Sequence, residues 1–103
     1  MYEEKLAEIQ HLVSHTPILL FMKGSKEQPL CRFSLDVVRL LRRHQVDFET
    51  RDVLEDDILR EAIKEFSDWP TLPQLYVNGE FIGGRDILMD LDESGELESV
   101  LKQ

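Results

Sequence analysis

The chain has one cysteine, Cys31, among 103 residues. An intramolecular disulfide is therefore impossible, and so is a zinc site built from several cysteines. The three histidines, His11, His15 and His44, show no ligand spacing that includes Cys31. Positive charge is also scarce: 12 basic residues face 21 acidic ones, a formal net charge of −9. That balance argues against nonspecific nucleic-acid binding, which needs a basic footprint, and against docking on anionic membranes. The longest apolar run, Ile18 to Met22, is far too short to span a bilayer. The acidic start, Tyr2-Glu3-Glu4-Lys5, is unlike a signal peptide. Nothing requires an oxidising compartment, so an intracellular, cytoplasmic setting is expected.

What is present suits one globular domain over 1–103, with 42% hydrophobic and 32% charged residues. Leu6, Ile9, Leu12 and Val13 recur at helical spacing, and Pro17 stops that helix. Ile18-Leu19-Leu20-Phe21-Met22 reads as a strand buried on both faces. A polar loop from Lys23 to Leu30 leads to Cys31 and a helix through Phe33, Val37, Leu40 and Leu41 to about His44. Phe48 to Val53 suits a short strand. Asp56 and Asp57 suit the start of a third helix, whose inner face is Ile58, Ala62, Ile63 and Phe66. Trp69-Pro70-Thr71-Leu72-Pro73 excludes helix. Asn78-Gly79 between Gln74–Val77 and Glu80–Ile82 predicts a hairpin. Two helical stripes follow, around Ile87, Leu88 and Leu91, then Leu97, Val100 and Leu101. The order α-β-α-β-α-β-β-α-α predicts an α/β fold with a four-stranded mixed sheet and helices on both faces.

Three features carry chemistry. Cys31 stands where a loop hands over to a helix, and a helix N-terminus favours thiolate. Lys23 returns positive charge to the same place. By position alone, Cys31 is as readily a buried, inert thiol as a reactive one. Thr71-Leu72-Pro73 suits either a cis peptide bond that presents backbone to an extended peptide, or the trans turn that base rates favour. Gly83-Gly84-Arg85-Asp86 permits close backbone approach at a helix start, where Asp86 is either an amine-holding carboxylate or a plain acidic cap. Trp69 reads as core or rim packing.

Together, Phe21-Met22-Lys23-Gly24, Cys31-Arg32-Phe33-Ser34, Trp69-Pro70-Thr71-Leu72-Pro73-Gln74-Leu75 and Gly79-Glu80-Phe81-Ile82-Gly83-Gly84-Arg85-Asp86 resemble a monothiol glutaredoxin from about Ile9 to Leu101. The resemblance implies a thioredoxin fold and a glutathione site. Lys23 and Arg60 would bind carboxylate, and Leu72, before a cis Pro73, would pair with the cysteinyl backbone. Arg85 and Asp86 would hold the γ-glutamyl end through backbone N–H and carboxylate, and Cys31 would be nucleophile or metal ligand. The family's Cys-Gly-Phe-Ser motif has arginine for glycine here, at Arg32. A guanidinium there is expected to favour thiolate further, and its bulk to bear on whatever binds the sulfur.

The resemblance implies, first, an iron–sulfur carrier holding a 2Fe–2S cluster between two protomers. A cluster usually takes four thiolates. Two Cys31 side chains and two glutathione thiols complete the set. A BolA-like protein and iron–sulfur clients are implied partners. A weak glutathione-dependent monothiol oxidoreductase comes second, and a non-catalytic adaptor third.

Overall fold

The computed structural model describes residues 2–103, so residue 1 of the expected 1–103 domain lies outside the described residues. The elements are α1 (Tyr2–His15), β1 (Ile18–Met22), α2 (Arg32–Arg43), β2 (Glu49–Asp52), a single 3-10 turn (Val53–Glu55), α3 (Asp57–Ser67), β3 (Gln74–Val77), β4 (Glu80–Gly83), α4 (Arg85–Glu93) and α5 (Leu97–Leu101). The sheet order is β2-β1-β3-β4. β1 runs parallel to β2 and antiparallel to β3, which pairs antiparallel with β4. This is the expected mixed sheet.

All five residues of β1 are buried, because the strand is central and covered on both faces. Successive side chains alternate between faces. Ile18, Leu20 and Met22 join the core under α2, α4 and α5, including Val37, Leu41, Leu88 and Leu97. Leu19 and Phe21 join the core under α1 and α3, including Ile9, Val13, Ala62 and Ile63. Full burial of each large aliphatic or aromatic side chain is worth about 1.5–3 kcal/mol. The apolar run thus carries the fold and sets down Lys23 and Cys31 at one end of the sheet.

One expected boundary changes. The second strand covers Glu49–Asp52 rather than Phe48 to Val53, and Val53 turns into the 3-10 segment. The cause is Asp52, whose carboxylate accepts from the Leu54 N–H at 2.9 Å and curls the chain inward. The same carboxylate oxygen accepts from Gly24 N–H at 2.9 Å and ties this turn to the loop before Cys31.

Candidate functional site

The loop between β1 and α2 is long but held at several points. Leu30 N–H donates to the Lys23 carbonyl at 2.9 Å, closing the loop at its base. Gly24 adopts φ +90°, and a Cβ there would lie 2.5 Å from the Gln28 carbonyl oxygen, so only glycine fits. Lys26 donates to the Phe48 carbonyl and sits 4.5 Å from the Phe48 ring centroid. Lys23 N–H donates to Ser34 Oγ at 3.1 Å, joining the end of β1 to the first turn of α2. These bonds deliver Cys31 to the N-cap of α2 in an extended conformation.

Cys31 is partly accessible, not a core thiol. Burial pushes its thiol up, but the Ser34 and Phe33 backbone N–H groups, the Lys23 ammonium and the Ser34 hydroxyl together hold it below the ordinary value of 9.0. The N–H donors are the unpaired amides of the α2 first turn. Arg32, expected to favour thiolate, is exposed and is not among the largest causes of that lowering. Its place at the first helical position turns it to solvent, where water screens its charge.

Cys31 opens into a cleft of about 390 Å³, in the size range of small-molecule sites. Lys23, Arg60, Lys64 and Leu72 also line it. Arg60 comes from α3, and its Nε is buried without a hydrogen-bond partner. Burying a charged donor unpaired costs free energy, so the arrangement suits an arriving anion. Lys64, one helical turn beyond Arg60, was not singled out from sequence. The signal was its i+4 spacing from Arg60, which puts both on one helix face.

A second cleft of about 190 Å³ meets the first along Phe33, Thr71 and Leu72. Its far end holds Trp69, Gly84 and Asp86. The Leu72–Pro73 peptide bond is cis, and Leu72 lies outside β3. A Cβ on Gly84 would lie 3.3 Å from the Pro73 carbonyl oxygen and 3.4 Å from Trp69 Nε1. Trp69 packs on Phe81 at 5.8 Å, as expected of a rim residue, yet its buried indole N–H has no partner and lines the cleft. Sequence reading assigned it packing alone, because a lone tryptophan carries no pattern.

Arg85 differs from its expected backbone role in having a large side-chain role too. Its guanidinium bonds Asp36 of α2 at 3.1 Å and Asp86 at 2.8 Å, and lies 5.5 Å from the Phe33 ring centroid. Both carboxylates push its pKa up, Asp86 most. Asp86 is therefore shared with Arg85, although its side chain is 86% exposed and open to an ammonium group. The structure thus gathers Lys23, Cys31, Arg60, Leu72, Arg85 and Asp86 along one groove. The histidines stay outside it: His11 and His15 stack at 4.1 Å on α1, and His44 bonds Asp92 at 2.6 Å. Among the described residues there is no cluster of three or more groups able to hold a metal ion, and no helix long and apolar enough to cross a membrane.

Comparison with known proteins agrees with this geometry. The glutaredoxin family model matches residues 18–82. A probable monothiol glutaredoxin 2 of Rickettsia typhi is 50% identical over 102 residues, covering 99% of this chain and 92% of that protein. The solution structure of reduced poplar apo GrxS14 is 43% identical with a TM-score of 0.82, covering 93% of this chain and 88% of that one. A buckwheat glutaredoxin–glutathione complex is 23% identical with a TM-score of 0.87, covering 98% and 90%, and shows the shared fold.

Proposed function

Because the chain belongs to the glutaredoxin family, in its monothiol branch, we propose that it binds glutathione in the groove beside Cys31 and carries a 2Fe–2S cluster ligated jointly by Cys31 and glutathione. The observation that carries the reading is the two partly buried cations Lys23 and Arg60, neither in an ion pair among the described residues, beside a thiol held in favour of thiolate.

Each part of the groove has a matching part of the tripeptide. Arg60 and Lys23 meet a carboxylate through charge-assisted hydrogen bonds. The Leu72 backbone, which lies outside β3 and lines both clefts, pairs with the cysteinyl unit, as an added strand would. The α4 first-turn N–H groups meet the γ-glutamyl carboxylate and Asp86 its ammonium. Glutathione so held presents its own thiol beside Cys31.

The donor set fits a cluster only if it is shared. Cys31 is one accessible thiolate, and no other metal-binding residues cluster near it among the described residues. Four thiolates then require two chains and two glutathiones. The chain's own residues favour the Cys31 thiolate and orient glutathione. The cluster is cargo, held by ligands that exchange, for delivery to iron–sulfur clients or a BolA-like partner. A reducing, cytoplasmic setting belongs to the same reading and keeps Cys31 free. The second reading, monothiol deglutathionylation, is favoured by the same lowered thiol: Cys31 thiolate attacks a glutathionylated protein, and free glutathione resolves the mixed disulfide.

Anaerobic reconstitution with iron, sulfide and glutathione, followed by visible spectroscopy and size-exclusion chromatography, tests the carrier. Colour and a dimer peak are expected in the wild type and in Arg32→Gly, since Arg32 is exposed, and neither in Cys31→Ser. Colour in Arg32→Gly alone leaves the oxidoreductase reading. Colour in Cys31→Ser, or without glutathione, overturns the ligand scheme.

A further inference from the structure

Charge is unevenly distributed over this acidic molecule. α4 carries Asp86, Asp90, Asp92 and Glu93, and Glu96 caps α5, which carries Glu98. α2 carries four arginines against one aspartate. At 100° per residue, Arg32, Arg39 and Arg43 fall on one exposed stripe, with Arg42 flanking it. The stripe starts beside Cys31 and runs about 16 Å along the helix. Half of the 12 basic side chains are paired: Lys5 with Asp56, Arg43 with Asp92, Arg51 with Glu49, Lys64 with Glu61, Arg85 with Asp36, Lys102 with Glu98. Among the described residues, Arg32, Arg39 and Arg42 form no ion pair. Asp36, on the same helix, is held by Arg85, and Asp47 lines a cleft with Arg42 and Lys26 without bonding Arg42.

Helix stability does not account for the whole stripe. Arg42 and Arg43 stand in the last turn, where cations suit the dipole. Arg39 gains little from it, and Arg32 stands at the positive end, where it opposes it. At the Cys31 end the stripe meets two exposed apolar side chains, Leu30 at 61% and Phe33 at 52% exposure. An apolar spot beside the thiol, continued by Arg32, Arg39 and Arg42, complements a surface of opposite charge with an apolar contact at its thiol.

We propose that the outer face of α2 is the docking surface for client proteins that carry acidic residues within about 16 Å of the reacting cysteine. The proposal rests on the thiol chemistry of Cys31 described above. The ridge orients the client and raises its encounter rate; it takes no part in bond exchange. A flank of about five extended residues spans the ridge.

Single-turnover reaction with glutathionylated peptides tests this. Two peptides share a central cysteine carrying glutathione and differ only in five flanking residues, glutamate in one and glutamine in the other. Cys31 thiolate attacks the glutathione sulfur. The Cys31–glutathione disulfide forms, the peptide–glutathione bond breaks, and the peptide thiolate leaves and takes a proton from water. Mass spectrometry reads the rate. At low salt the acidic peptide is expected to react about tenfold faster. The advantage is expected to disappear in Arg39→Glu/Arg42→Glu and in high salt, and to persist in Arg39→Lys/Arg42→Lys. Equal rates for both peptides, or an advantage that survives charge reversal, overturn the proposal. Should neither peptide modify Cys31, the thiol reading fails, and docking is read separately from amide shifts of the protein with the acidic peptide bearing serine for cysteine. Shifts along Arg32 to Arg43 support the surface; shifts elsewhere, none, or tighter occupation of the same amides by duplex RNA or anionic vesicles overturn it.

Discussion

Arg60→Met separates ligand binding from stability, because the two are expected to move in opposite directions. Arg60 places a guanidinium in the cleft with Lys23 and Lys64, and its Nε is buried with no acceptor. Without ligand, this donor is a cost: a buried unsatisfied polar group is worth about 1–3 kcal/mol against the fold. Methionine keeps the apolar stem and removes the charge, so urea unfolding of the free protein is expected to show equal or higher stability. With glutathione the sign reverses. A hydrogen bond to a charged group contributes about 1.5–3 kcal/mol, so calorimetry is expected to show affinity down by roughly 10- to 100-fold. Lys23→Met should weaken binding in the same sense, and the double variant should lose less than the sum of the singles, since both serve one carboxylate. Unchanged affinity together with a stability loss above about 1 kcal/mol would refute the argument and make Arg60 a structural residue.

Three further outcomes follow from named contacts. The rate of Cys31 alkylation should level off at a pH below the ordinary thiol value of 9.0, shift upward in Ser34→Ala, and stay put in Arg32→Gly; a shift in the last variant alone would contradict the assignment of the effect to the helix N–H groups and Lys23. Asp56 caps α3 through Leu59 N–H at 3.0 Å and bonds Lys5 at 2.8 Å, and the Lys5 bond chiefly holds its carboxyl below the ordinary 3.8. Its contribution is thus fully present above that value and is lost as pH falls through the lower folded one; Asp56→Ala should cost about 1 kcal/mol at neutral pH by urea unfolding, and a cost that persists in strong acid would be inconsistent with this. Tyr76 is buried with its hydroxyl unpartnered, while the nearby Ser67 hydroxyl donates to the Ile63 carbonyl, and burial pushes the phenol up to about 12. Tyr76→Phe should leave stability unchanged or raise it by up to about 1 kcal/mol, and a fall of that size would reveal a hidden partner.

The fold was legible because its determinants are local and periodic. Ile18 to Met22 announces a doubly covered strand, Asn78-Gly79 a hairpin, and Pro17, Pro70 and Pro73 the breaks between elements. The end of the second strand was not legible, since Asp52 turns the chain by bonding both Leu54, two residues on, and Gly24, from a distant loop. At the site, Lys23 was visible at a strand–loop junction, and Cys31, Gly84 and Asp86 at loop–helix junctions. Tertiary structure alone decided the electrostatics. A charge acts through distance and burial, which sequence proximity does not measure. Arg32, adjacent to Cys31 in the chain, turns to water and is not among the largest influences on the thiol, while Lys23, eight residues earlier, folds back and is. Arg85 shows the same principle, since its pairing with Asp36 needs α2 and α4 side by side. Sequence determined which groups exist and which element bears each one. Packing of α2, α3 and α4 around one end of the sheet determined which of those groups share a groove.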